Sequence, residues 1–403
     1  MSKVITTELQ HSGASSANIT LDSSKNVTCE NNLQVDGNVT VTGTLPADKL
    51  TGNLPAISGA SLTGLPSSPP AGRNILINGD MRIAQRATSS SDQGCKTTDR
   101  FYYDKGGTNE TPQQAQRALT SADTGPWAKG FRWCYKITNG NQSALDATDY
   151  VRFKYITENR DIHQSGWEYT DPNSKVTISF WVKSSVSQRF YFALRTSEGT
   201  GQHYAHPFTP AANTWTYVTH TIPGNANNVF GDNNGHGLML QWQLAIGSSY
   251  TDDSFTDDAW GVYQTNQFKD YNDGDNDWYE TDDATWEITG VQFEAGDTAT
   301  DFEFKRYDDE LRRCKRYYHK RTGHMMMAPY KVMDSPDMTR KFSIFYDEMT
   351  AAPTVSGITH TTNGTTSVSV DTAYIDHVEF ESGDVSDSTY VRIDTYQATA
   401  EFE

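Results

Sequence analysis

The chain has 403 residues, 35% hydrophobic and 12% aromatic, which excludes wholesale disorder because disordered chains are poor in aromatic side chains. A net charge of −18 disfavours phosphate backbones and anionic membranes as partners, since both demand excess Lys and Arg. Four scattered cysteines (29, 95, 134, 314), with no CxxC and no short pairing, argue against a disulfide-stapled secreted fold and favour assembly in a reducing cytoplasm. No apolar run approaches a membrane span and the N-terminus has no apolar signal core, so neither insertion nor signal-dependent export is expected.

Residues 1–72 contain no Trp, Tyr or Phe and cannot pack an ordinary globular core. Short units recur there instead, at 18–24, 26–32 and 38–44, then LTGNLP at 50–55 and LTGLP at 62–66. Each buries little alone, so this stretch is expected to be a thin oligomeric β docking segment, with Ser67-Ser68-Pro69-Pro70 marking its boundary. A flexible linker is the competing reading.

From 73 to 306, period-2 alternation predicts one large β-sandwich of jelly-roll type. Its strands fall at 131–137, 151–155, 176–182, 190–194, 215–222 and 238–246, with surface loops over 157–175, 199–213 and 247–284. Trp286 and Ile288 alternate with Glu287 and Thr289, and the phase slips at Gly290, which predicts a bulge. Asp308, Asp309 and Glu310 then open a short linking helix (307–323) whose end is basic, with Leu311, Cys314 and Tyr318 on one face. Residues 324–403 read as a small C-terminal β-domain, too small to be stable without a neighbour. The fold class is all-β throughout.

Two sets of side chains could carry a site. DGDND at 273–277 places Asp273, Asp275 and Asp277 at positions 1, 3 and 5 of an EF-hand-like loop, but Trp278 and Ala284 stand where that loop needs Gly and Glu. A looser Ca²⁺ site competes there with a solvated acidic loop, and no cofactor is otherwise required. Trp127, Trp167, Tyr169, Trp260, Tyr263, Trp278 and Tyr279 lie in loops, where they would either stack on sugar rings or cover the core. His203 and His206 read as surface histidines lacking a third metal ligand. No nucleophile, phosphate-loop or paired-acid arrangement stands out, so no catalytic residue is expected.

Several blocks resemble one family in the same order. They are NILINGDMR (74–82) with Gln85, Arg86 and Thr98-Asp99-Arg100-Phe101, then SFWVKSS (179–185), AANTWTYVTHTIPG (211–224), WEITGVQFEAG (286–296) and LRRCKRYYHK (311–320). Together these are similar to a domain of tailed-bacteriophage fibre proteins, and the run at 42–66 resembles virion-proximal stretches in fibres of marine phages. The resemblance implies a homotrimeric virion appendage assembled in the host cytoplasm. Its N-terminus would dock on phage tail (adaptor or nozzle) proteins, and its sandwich would attach to a host surface glycan or other receptor. A capsid or neck fibre is the alternative mount, and a polysaccharide depolymerase the alternative activity. Asp99 and Arg100 are expected to brace the sandwich as a structural pair.

Overall fold

The computed structural model describes residues 8–9, 19–21, 27–29, 72–108, 111–140, 144–269, 276–327, 340–362, 367–382 and 391–402. The chain divides into two compact units, Met1–Leu65 and Pro66–Glu403. In the first, β1 (Glu8–Leu9), β2 (Ile19–Leu21) and β3 (Val27–Cys29) form an antiparallel sheet, pairing Leu9 with Ile19 and Thr20 with Thr28. Two of the repeated units thus supply strands. The units at 38–44, 50–55 and 62–66 and the boundary at 67–70 lie outside the described residues.

In the second unit the sandwich begins with β4 (Ser89–Ser90), β5 (Phe101–Gly106), β6 (Gln113–Ala118), β7 (Trp133–Thr138) and β8 (Tyr150–Glu158). A short helix, α1 (Asn159–His163), leads to β9 (Lys175–Ser184), β10 (Phe190–Thr196), β11 (Gln202–Phe208) and β12 (Thr216–Pro223). Then come β13 (His236–Ile246), β14 (Gly261–Val262), the one-turn helix α2 (Asp277–Glu280) and β15 (Thr285–Ala295). The front sheet has the order β14-β11-β10-β13-β8-β5 and the back sheet β12-β9-β15-β7-β6-β4. All their pairings are antiparallel, and the chain crosses repeatedly between the sheets, as in a jelly roll.

The core lies between the inward faces. Trp242 meets Phe153, Phe180 and Phe192 at ring-centroid distances of 5.2, 5.6 and 5.1 Å, and Phe153 reaches Trp286 of the other sheet at 5.5 Å. Each fully buried aromatic of this kind contributes roughly 1.5–3 kcal/mol. The phase slip in β15 is a bulge. Gly290 sits at φ 67°, and the register with β9 shifts between Thr289 and Gln292.

Two stretches expected as loops hold strands, the short β14 within 247–284 and the longer β11. β11 spans Gln202–Phe208 within 199–213 and pairs with β10 along six positions, from Phe190–Phe208 to Arg195–His203. Histidines and a proline replace the apolar alternation that would have marked it.

The linking helix is shorter than expected. α3 (Tyr307–Lys315) packs Cys314 against Ile77, Ile83 and Tyr317, with Leu311 alongside. Tyr318 begins the next strand, β16 (Tyr318–Met327), because the backbone straightens after Arg316. β17 (Arg340–Phe345), β18 (Thr354–Thr362), β19 (Val368–Ala373), β20 (His377–Ser382) and β21 (Val391–Thr399) complete the C-terminal part. They form two three-stranded sheets, β16-β21-β18 and β17-β20-β19, around Ile344, Val378, Phe380, Ile393 and Tyr396.

This part is docked on the sandwich by buried charge. Arg100, fully buried, pairs with Glu401, which also accepts a hydrogen bond from the Tyr102 hydroxyl at 2.8 Å and faces Arg86 at 3.3 Å. Arg316 and Tyr317 both donate to Glu158 of β8, at 2.9 and 2.7 Å. Asp99 and Arg100 therefore do not pair with each other. Asp99 faces Arg86 at 3.7 Å and accepts from Gln85, while Arg100, at φ 74°, turns its side chain toward Glu401.

Candidate ligand groove and histidine cluster

Three of the aromatic candidates are core residues. Trp278 is 0% exposed and Tyr279 1%, because α2 folds them inward. The Trp278 amide donates to Gln188 Oε1 at 2.6 Å, and the Tyr279 hydroxyl donates to Asp149 Oδ2 at 3.2 Å. Trp167, 2% exposed, donates through Nε1 to Ser174 O and stands edge-on to Phe293. These rings close the open margins of the sandwich and have no face left for a sugar. Tyr169 is half-buried, edge-on to Phe230 at 5.0 Å. Trp127 is half-buried beneath the Arg132 guanidinium, 3.8 Å from the ring centroid. Tyr263 is half-buried and carries the Arg195 guanidinium 3.6 Å above its ring, which takes one face.

Trp260 lines a groove of about 320 Å³ formed within the loop from Asp252 to Gln267. The loop closes on itself where the Asp252 amide donates to Phe268 O (2.7 Å) and the Gln267 amide to Tyr250 O (3.0 Å). β14 fastens it to β11, pairing Val262 with Gln202 and Gly261 with His203. Underneath, Phe268 is fully buried on Tyr191 at 5.2 Å, so the loop lies against the outward side of the front sheet.

The groove walls mix aromatic and polar groups. Phe255 and Trp260 supply apolar surface, and Asp252, Gln264, Asn266 and Gln267 supply polar atoms. The Trp260 indole N–H is engaged with Pro223 O at 2.7 Å, leaving its ring as the contacting part. Hydrogen bonds from Ser254, and one from Asn266 at 2.8 Å, hold the Asp252 carboxyl below its ordinary range against the small opposing effect of burial. Gln267 is 6% exposed, and its Oε1 has no hydrogen-bond partner among the described residues. A buried amide oxygen without a partner costs about 1–3 kcal/mol. On the outward side of β13, Gln241 and Gln243 are likewise buried, and neither amide atom of Gln241 has a partner among the described residues.

The HYAH stretch is not a surface pair of histidines. His203 is 1% exposed, and burial together with nearby Arg195 pushes its pKa down to about 3. His206 instead meets two residues that its sequence neighbourhood did not suggest, His220 on β12 and Asp258 in the groove loop. Burial, with His206 beside it, pushes His220 down to about 4 against the opposing pull of Asp258. For Ca²⁺, Asp273 and Asp275 lie outside the described residues, and Asp277 is an exposed residue at the start of α2.

A second cavity of about 530 Å³ lies at the joint with the C-terminal part, lined by Arg86, Tyr102, Tyr318, Gln397 and Glu401 among others. Its tyrosines, Tyr102 and Tyr318, are only 2% and 1% exposed, so it lacks an aromatic platform. No helix among the described residues is long and apolar enough to cross a membrane.

No protein-family model matches the chain, and no curated protein matches it. Among solved structures it is similar to a family 4 carbohydrate-binding module (11% identity, 54% of this chain and 98% of that one, TM-score 0.26). It is also similar to a family 11 carbohydrate-binding module from Clostridium thermocellum in complex with a mixed-linked tetrasaccharide (10% identity, 53% and 98%, TM-score 0.25). An exo-β-agarase aligns at 8% identity over 57% of this chain and 26% of that one, with a TM-score of 0.29. At such TM-scores the likenesses carry no weight for the site, whose reading rests on this chain's own residues.

Proposed function

We propose that the protein is a glycan-binding fibre of a tailed bacteriophage, acting by adhesion rather than catalysis, and that the Asp252–Gln267 groove takes the sugar. The observation that carries the glycan reading is the groove itself, which sets the Trp260 and Phe255 rings among the polar side chains of Asp252, Gln264, Asn266 and Gln267. Aromatic surface takes the apolar face of a pyranose, while amides and a carboxylate take its hydroxyls. The groove's size is near the lower end for small-molecule sites, which suits one or two sugar units. Support for the fibre reading is the ordered run of sequence blocks over 74–320. The short-stranded N-terminal unit would be the virion mount, shared among three chains.

Purified protein added in excess should block adsorption of the phage to its host. Trp260→Ala should weaken binding to the host surface polysaccharide at least about tenfold, as expected for an aromatic anchor. Unchanged polysaccharide binding by that variant would remove the groove as the site.

A further inference from the structure

His206, His220 and Asp258 come from three different parts of the sandwich. His206 lies on β11 of the front sheet, His220 on β12 at the edge of the back sheet, and Asp258 on the groove loop. The imidazoles are stacked with centroids 3.6 Å apart and planes 14° from parallel. His206 Nδ1 is 2.7 Å and His220 Nε2 is 3.4 Å from the same atom, Asp258 Oδ1. One donor atom from each residue falls within 4.8 Å of the other two. Asp258 is held there by its own backbone, at φ 60° with its amide donating to Ala205 O at 2.9 Å. Both imidazoles are partly open to solvent, with side-chain exposures of 22% and 16%.

We propose that His206, His220 and Asp258 form a Zn²⁺ site that ties the two sheets to the groove loop. Two imidazole nitrogens and one carboxylate oxygen are a borderline donor set that suits Zn²⁺, whereas Ca²⁺ and Mg²⁺ require mostly oxygen. Tetrahedral zinc with bonds of about 2.0–2.2 Å sets its donors roughly 3.3 Å apart, near the observed 2.7 and 3.4 Å to Asp258. Binding requires the stacked imidazoles to turn out of their near-parallel planes so that both lone pairs meet at the ion. Three protein ligands leave a fourth position for water, and the Tyr204 hydroxyl, now hydrogen-bonded to His220 Nε2 at 2.8 Å, gives up that contact when the nitrogen turns to the ion. An ion here would pin Asp258, two residues before Trp260. The site itself stands whether or not the groove takes a sugar.

The test uses the full-length protein, stripped with a chelator and titrated with Zn²⁺ by calorimetry and with Co²⁺ by visible absorption. One ion per chain at micromolar or tighter affinity is expected, with tetrahedral Co²⁺ bands and a melting temperature that rises with Zn²⁺. The His206→Gln/His220→Gln double variant should lose this binding by at least about a hundredfold, and Asp258→Asn by at least about tenfold. Binding unchanged in the double variant, no saturable Zn²⁺ binding, or stabilisation by Ca²⁺ in place of Zn²⁺ would each overturn the proposal. Should the double variant not fold, X-ray absorption at the zinc edge of the wild-type protein decides. Two imidazole neighbours support the site, and none refutes it.

Discussion

Glu401 is the residue on which docking of the C-terminal part turns. It stands third from the end of the chain, yet three side chains of the sandwich opening segment (Arg86, Arg100 and Tyr102) converge on it. Burial opposes its ionisation, but Arg100 first and then Arg86 outweigh that and hold its pKa below the usual carboxylate range. A carboxyl depressed in the folded state contributes stability that is present above its unfolded pKa, about 4.3, and lost as pH falls through the folded value. Glu401→Gln strands a buried guanidinium, so we expect a loss of about 3–5 kcal/mol near neutral pH, read by denaturant unfolding. The gap from wild type should narrow below pH 4. A variant as stable as wild type at pH 7 would show that the pair does not hold the joint. Nothing near Glu401 in sequence announces this role, because its partners lie some 300 residues away.

At the scale of elements, β15 shows what pattern alone can reveal. Its alternation, its phase slip and its glycine identified both the strand and the bulge. The structure adds why the glycine is needed, since a Cβ at Gly290 would come 2.7 Å from the Phe131 ring as well as sit at positive φ. Gly290→Ala should therefore cost about 1–3 kcal/mol, seen as a lower melting temperature, with Phe131→Leu partly restoring it. Independent, additive effects of the two substitutions would show that the ring contact is not the cause. β11 is the opposite case. QHYAHPF lacks period-2 contrast because one side packs on the core while the other, bearing His203, is buried under the groove loop. A strand covered on both sides has no polar alternation to read.

For the whole molecule, the N-terminal unit sets the expectation. Its described strands are two and three residues long, and 1–72 hold no aromatic side chain, so on the proposed fibre reading the unit buries its surface against other chains. Light scattering of the full-length protein should give three times the mass of one chain, and a monomer would end the trimeric reading. The sequence by itself determined the all-β class, most sandwich strands, the β15 bulge and the charge polarity of α3, because each is written in the spacing of neighbouring residues. Tertiary structure decided which loop aromatics face inward: Trp167, Trp278 and Tyr279 do, while Trp260 lines a groove. It also brought His206, His220 and Asp258 together. Spacing records how a side chain lies relative to its own element. Where a loop folds back, and which distant segment it meets, depends on closure of the two sheets over their common core.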